Sequence, residues 1–372
     1  MTCHQKTVII DNGTSMMRVG FAGENVPRYS FPTIVGHRTA KSKNSGCFNS
    51  SKDYSYVGHE AYSRRSALSL NYPIERGMIT NWNDVELLWK HAFKTIGVNP
   101  SNHPVLLCQP YLKRKEIRKT MVQVVFESLQ SPAMQCAVNG SLAAYASCIV
   151  NGIVLDCGEG ICQVVPIHNG SPIVDKIQRF ELAGQDLSHN LMKMLYERKY
   201  YLDPFGEKMI IKQIKENLCE VEMLDGRGQQ QNIKAFKLPD GRKVKLGPER
   251  YRCAEALFNP SIIGLDHYGI QSTIYETIMN CTFILRKQMF SNIILSGGST
   301  MFPNFAERLQ NEMRSLVPAN MPVNIVAMKD RSNLAWIGGS IMASLSKFPL
   351  KWITKQEYSE CGLSVIYRNS LV

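Results

Sequence analysis

No run of about 18 apolar residues occurs in the 372-residue chain, so no segment reads as a membrane-spanning helix. The longest candidate, 136–150, is short and interrupted by Asn139, Gly140 and Ser141. The opening residues, Met1-Thr2-Cys3-His4-Gln5-Lys6, hold no apolar core, and the expectation is that there is no secretory leader. The 11 cysteines never form a C-x-x-C pair. Cys157 and Cys162 come nearest, with no His cluster beside them, which argues against a zinc site. Without a leader, free buried thiols in a reducing compartment are expected. Negative charge is the scarcer sign, with 31 acidic residues against 43 basic ones and a net charge of +12. Such a balance favours acidic partners, and it is also what scattered solubilising Lys and Arg would give. The densest basic stretch, Lys113-Arg114-Lys115 with Arg118 and Lys119, reads as an exposed helix start without interleaved aromatics or a nucleic-acid motif. A content of 44% hydrophobic and 20% charged residues excludes a mostly disordered chain, and the length suggests two or three domains.

Thr7-Val8-Ile9-Ile10 is a strand-forming run that ends in Asp11 and a turn signal, Asn12-Gly13-Thr14-Ser15. A second strand over 16–21 completes a hairpin. The pattern returns as Ile153-Val154-Leu155-Asp156-Cys157-Gly158-Glu159-Gly160, with a returning strand over 161–167 and a turn at His168-Asn169-Gly170. This repeat, strand-Asp-x-Gly-x-x-strand, implies two related domains that each open on a hairpin. Helical spacing marks 84–93, 115–129, 141–148, 185–197, 207–218, 305–316 and 334–345. Short strands are expected at 105–107 and 292–295. Alternating strands and helices make the fold class α/β. Residues 38–53 are polar and read as a mobile loop.

The two Asp-glycine turns carry the chemistry. In each, the tight hairpin aims backbone N–H groups at one point, and glycine admits an anion closely. Two such turns would clamp a polyphosphate, and Asp11 and Asp156 could hold a hydrated Mg²⁺. A lone D-x-G is an ordinary turn; the signal lies in the matching pair. A third glycine turn, Ser296-Gly297-Gly298-Ser299-Thr300, could support a nucleoside or could simply pack. Lys215-Glu216 could contact a ribose and base, or form a surface salt-bridge face.

Nine segments resemble actin and the actin-related proteins, in family order. They are IDNGTSMMRVGFAG (10–23), FPTIVG (31–36), YPIERGMITNW (72–82), LAGQDL (182–187), IKENLC (214–219), LPDG (238–241), LSGGSTMFP (295–303), WIGGSIMASL (336–345) and WITKQEY (352–358). The resemblance implies an actin-like ATPase fold of two duplicated α/β domains flanking a cleft for ATP or ADP with Mg²⁺. It implies a small domain over 1–139, with an inserted mobile subdomain near 34–71 and a return near 338–372. The large domain would cover 140–337, with an insertion near 185–265. Gly13, Thr14, Ser15 and Met16 would form the first phosphate loop, with Arg18 beside it. Gly158, Glu159, Gly160 and Ile161 would form the second. Asp11 and Asp156 would hold the metal. Gly184, Lys215, Glu216, Gly298, Ser299, Met301 and Phe302 would line the nucleoside pocket.

The departures bear on mechanism. The family has Gly at Ser15, Lys at Arg18 and Asp at Glu159. Arg keeps the charge of Lys without its compact geometry. The family's water-positioning Gln corresponds to Asn139, and its nearby His to Gln163, which cannot titrate near neutral pH. An adenine-side Lys corresponds to Ser332. The loop 41–49 is more polar and longer than the family's apolar loop, and the region 220–236, with its Gly/Gln-rich 226–231, is shorter. The chain ends Arg368-Asn369-Ser370-Leu371-Val372 in place of the family's Cys-Phe, and the acidic N-terminal cluster is missing. An apolar plug over 260–265 and the outline of a partner groove at 343–348 with Trp352 are retained.

Together these imply a divergent actin-related protein with slow or absent hydrolysis. Its basic charge resembles that of testis-type actin-related proteins in the cytoskeletal shell of the sperm head. The expected role is a cytoplasmic, cytoskeletal scaffold whose partners are cytoskeletal proteins, including actin or other actin-related proteins, with acidic surfaces favoured. Two alternatives stand beside it: an ATP-hydrolysing protein that polymerises or copolymerises with actin, and a nuclear subunit of a chromatin complex.

Overall fold

The structure is a computed structural model, described over residues 6–38, 55–113, 115–180, 182–202, 206–223, 233–345 and 352–367. The expectations for 39–53, 226–231, 346–348, Arg114 and 368–372 lie outside these residues. Among them, no helix is long and apolar enough to cross a membrane.

The chain forms two compact units, Met1–Ala146 with Asn333–Val372, and Ser147–Ser332. The first is built on a six-stranded sheet in the order Ile353–Thr354, Ala133–Val138, Val105–Gln109, Val8–Asn12, Met16–Phe21, Tyr29–Pro32. Val8–Asn12 pairs antiparallel with Met16–Phe21 and parallel with Val105–Gln109, which pairs parallel with Ala133–Val138. Strands buried on both faces read as continuous apolar runs, as VLLC does here. Val8, Ile10, Val105 and Leu107 face one cluster with Trp89 and Phe126. Ile9, Leu106 and Cys108 face another with Leu142 and Trp336.

The helix Trp82–Thr95 starts where Asn81 Oδ1 accepts from the Asp84 N–H at 3.1 Å, and buries Val85, Leu88, Trp89, Ala92 and Phe93 at helical spacing. The expected helix over 115–129 is α-helical only over Lys115–Gln123; Val124–Ser128 is a π-turn. The Leu129 N–H donates to the Val124 carbonyl at 3.0 Å, and this wider turn buries the neighbours Val125 and Phe126 together. The Phe126 ring stacks on Tyr358, with centroids 5.1 Å apart.

The helices Asn139–Ala146 and Leu334–Ser344 both lie in the first unit, whereas the sequence boundaries give all but the first residue of one, and the start of the other, to the second domain. The reason is their close packing: a Cβ on Gly338 would sit 1.8 Å from the Leu142 carbonyl oxygen.

The second unit repeats the arrangement. Gly152–Cys157 pairs antiparallel with Cys162–His168 and parallel with Ile293–Ser296, which continues in parallel to Ile325–Val326. A single apolar cluster gathers Leu187, Leu191, Ile214, Val244, Leu246 and Phe305. The helix Phe305–Leu316 has the bounds its periodicity predicts. Three smaller sheets complete the described residues: Val35–Arg38 with Ser55–Val57 and Leu68–Asn71, Ile74–Glu75 with Met78–Ile79, and a ribbon of Lys234–Lys237 and Lys243–Leu246.

Gly338→Ala sets two effects against each other. Helix propensity gains about 1 kcal/mol, while forcing a methyl into a close-packed backbone contact costs more, up to about 3 kcal/mol. The expected net result is a loss of roughly 2 kcal/mol, read as a lower urea midpoint at unchanged slope.

Candidate functional site

In the first unit, Asp11, Gln109 and Asn139 lie along one edge of the sheet, at or just beyond the C-terminal ends of parallel strands. Open α/β sheets present ligands at this edge. The hairpin loop is Gly13-Thr14-Ser15, and Met16 starts the return strand. Thr33 braces it, its hydroxyl donating to the Gly13 carbonyl at 2.7 Å and its N–H to the Ser15 carbonyl at 3.0 Å. The Gly77 N–H donates to Thr14 Oγ1 at 3.1 Å. A Cβ on Gly13 would lie 2.3 Å from the Met16 carbonyl oxygen, so only glycine fits. Within the described residues no acceptor engages the N–H groups of Gly13 and Thr14.

Asp11 is 5% exposed and stands directly across the hairpin from Arg18. The guanidinium donates to Asp11 Oδ2 at 2.9 Å and through Nε to Asn333 Oδ1 at 2.7 Å. Burial raises the Asp11 carboxyl above its ordinary pKa, with Arg18 opposing the rise. Asn12 accepts from the Trp89 indole at 2.8 Å, fixing the loop to the helix Trp82–Thr95. Asn139 opens its helix with a buried Oδ1 that has no donor among the described residues. Thr33, Gly77, Trp89 and Asn333 are absent from the sequence-based site; FPTIVG and YPIERGMITNW contain the first two, but show nothing of their contacts.

In the second unit, Asp156 lies at the C-terminal end of its strand opposite Ser296, whose hydroxyl donates to Asp156 Oδ1 at 2.9 Å. Gln163 is its cross-strand partner on the other side, 3% exposed. The Gly158 N–H closes the turn onto the Ile161 carbonyl at 2.9 Å, while the N–H groups of Glu159 and Gly160 have no acceptor within the described residues. Gly158 and Glu159 carbonyls accept from the Gly184 and Gln185 N–H groups at 3.0 and 2.8 Å, and Ser299 Oγ donates to the Gly158 carbonyl at 2.8 Å. A Cβ on Gly184 would meet Glu159 Oε2 at 2.5 Å and Ser299 Oγ at 2.7 Å. Gly297 has φ +87°, with its missing Cβ 2.3 Å from the Cys157 carbonyl oxygen; beside Gly298 the corresponding space is open.

Lys215 and Glu216 part company. The Lys215 side chain is 3% exposed and donates to Glu159 Oε2 at 2.9 Å and to the Gly184 carbonyl at 2.6 Å. Glu216 is exposed, 3.8 Å from Lys212. Phe302 is buried, Met301 is 39% exposed, and Ile161 is 8% exposed. The described thiols are free, and burial pushes Cys136 up to about 11 and Cys108 and Cys162 well up, leaving them unreactive.

These donor sets fit ATP or ADP with Mg²⁺. Each unit offers unpaired backbone N–H groups in a glycine turn, suited to phosphate, and one strand-end carboxylate, suited to a metal that keeps most of its water. In the first unit the carboxylate is Asp11 and the free turn N–H groups are those of Gly13 and Thr14; in the second they are Asp156, Glu159 and Gly160. Bound Mg²⁺ would neutralise phosphate charge. Arg18 and Lys215 are already engaged with Asp11 and Glu159.

Arg18→Met leaves the buried Asp11 carboxylate alone. The expected loss is about 3 kcal/mol at neutral pH. A buried acid with a raised pKa stabilises the fold below its unfolded pKa and loses that contribution as pH rises through the folded value. The deficit should therefore shrink towards acid pH, where the carboxyl takes up its proton. Thermal unfolding of both proteins between about pH 5 and pH 8 checks the sign; a deficit independent of pH would remove Asp11 as its source.

The family model described as Actin matches residues 2–370. Members of that family generally bind ATP or ADP with Mg²⁺ and serve the cytoskeleton. A match of this extent, on a fold of two similar α/β units that each carry an Asp-glycine hairpin, shows that the chain belongs to the actin family.

Proposed function

We propose that this protein is an actin-related scaffold of the cytoskeleton that holds ATP or ADP with Mg²⁺ as a stabilising ligand and hydrolyses it slowly or not at all. A ligand bound only by the folded state raises its stability by mass action.

The observation that carries this reading is at Asn139. Its buried Oδ1 has no donor among the described residues, which suits it to accept from a water. It sits on a side chain one methylene shorter than the family's Gln, and a misplacement of about 1 Å can cost roughly 100-fold in rate. Gln163 offers no titratable group near neutral pH in place of the family's His. The Glu159–Lys215 pair agrees with a binding role. The longer carboxylate reaches the buried ammonium, and both charges are used within one unit. The same proposal assigns the protein to the cytoskeletal shell of the sperm head, on its basic charge and family resemblance. Retention of the protein in detergent-extracted sperm heads is the expected result, and its recovery in the soluble fraction would remove that assignment.

Acid extraction of gently purified protein should release adenine nucleotide, and ATP-loaded protein should release phosphate slowly. Asn139→Gln should speed single-turnover phosphate release by about tenfold or more. Rapid release by the unmodified protein would overturn the slow-hydrolysis reading, and a lack of retained nucleotide would overturn the ligand reading.

A further inference from the structure

The ribbon of Lys234–Lys237 and Lys243–Leu246 contributes no residue to the candidate site. Between 234 and 246 the chain carries five cations, Lys234, Lys237, Arg242, Lys243 and Lys245, and one acid, Asp240. Its register pairs Ala235 with Lys245, Phe236 with Val244 and Lys237 with Lys243. Alternation then separates two faces. Val244 and Leu246 are buried in the apolar cluster and Phe236 packs against it. Ala235, Lys237, Lys243 and Lys245 are exposed on the other face.

Three cations in and beside the ribbon are paired with acids. Lys234 lies 3.6 Å from Glu220, Arg242 2.7 Å from Asp240 and Arg198 3.1 Å from Glu249. By contrast, Lys237, Lys243 and Lys245 have no acidic partner among the described residues. Lys237 and Lys243 are moreover directly opposite one another, a like-charge pairing that works against the sheet. The face thus concentrates unneutralised charge where the ribbon alone gains nothing from it.

We propose that this lysine face docks an extended acidic segment of a partner protein. Same-face residues on a strand recur about every 7 Å. Alternate carboxylates of an extended acidic segment therefore match the spacing of Lys243 and Lys245, with Lys237 across the ribbon. The paired strands carry no aromatic side chain on this face to stack a base, and Ile233, exposed just before them, is one apolar side chain where interfacial insertion takes a whole apolar face, which favours carboxylates as the anion. The nucleotide reading is not needed for this surface.

The probe is a fluorescein-labelled peptide alternating glutamate and serine, with binding to the full chain read by anisotropy. Binding should weaken as NaCl rises from about 0.01 to 0.15 M, because the Debye length shortens. The triple variant Lys237→Gln/Lys243→Gln/Lys245→Gln should lose about tenfold or more in affinity. Its unfolding midpoint should be unchanged or higher, since a repulsion has been removed. A control variant, Lys94→Gln/Lys287→Gln/Lys329→Gln, removes the same charge from exposed positions elsewhere and should bind as the unmodified protein does. Equal losses in both variants would reduce the effect to net charge and overturn the proposal. So would undetectable peptide binding, or tighter binding of a single-stranded oligothymidylate or phosphatidylserine vesicles that the ribbon variant abolishes.

Discussion

A carboxylate at the end of a strand buried on both faces has lost its water, and the surroundings of the first hairpin replace what was lost. Asp11 faces Arg18 because the antiparallel register puts them opposite one another, and Asn333 holds the guanidinium in place. The C-terminal segment must therefore return to the first unit for the hairpin to be complete. Asp156 meets the same constraint with a hydroxyl on the neighbouring parallel strand, Ser296. At the first strand-end acid the donor is a cation, and at Asp156 a hydroxyl is among the donors.

That difference bears on binding. A cation engaged by a buried acid cannot leave it without exposing that acid to an unfavourable medium. Arg18 is held in this way by Asp11, and in the second hairpin the buried member is the cation, Lys215, which depends on Glu159 in turn. What remains for an anionic ligand is the backbone of the glycine turns. Such donors are fixed in place and carry only partial charge, so the proposed affinity for nucleotide leans on the metal more than on side chains.

Much of this was legible in the amino acids. A continuous apolar run ending in an Asp-glycine turn marks both hairpins, and the amphipathic run 305–316 gives its helix without remainder. Local pattern fails where the cause lies at a distance. The π-turn at Val124–Ser128 meets Tyr358 of the C-terminal segment, far along the chain. Lys215 looks like a surface residue beside Glu216 until Glu159 and the Gly184 carbonyl are brought to it. The partners Thr33, Gly77 and Asn333 are small residues of ordinary type, and only tertiary structure gives them a role.

Net charge is a poor guide to where charge is displayed. Arg250 is fully buried against Glu220, Arg308 is held by Glu255 and Glu312, and Asp11 and Glu159 hold Arg18 and Lys215. These groups use five acids and only four cations, so the pairing does nothing to reduce the excess. The +12 must then be carried by the remaining, mostly exposed side chains, over which fewer acids are left to offset it. A solubilising coat would disperse such an excess, because repulsion between neighbours opposes clustering. The ribbon does the reverse by setting Lys237 opposite Lys243. Clustering against repulsion is intelligible when a complementary acid arrives from outside the chain, and that argument holds whether or not nucleotide is hydrolysed.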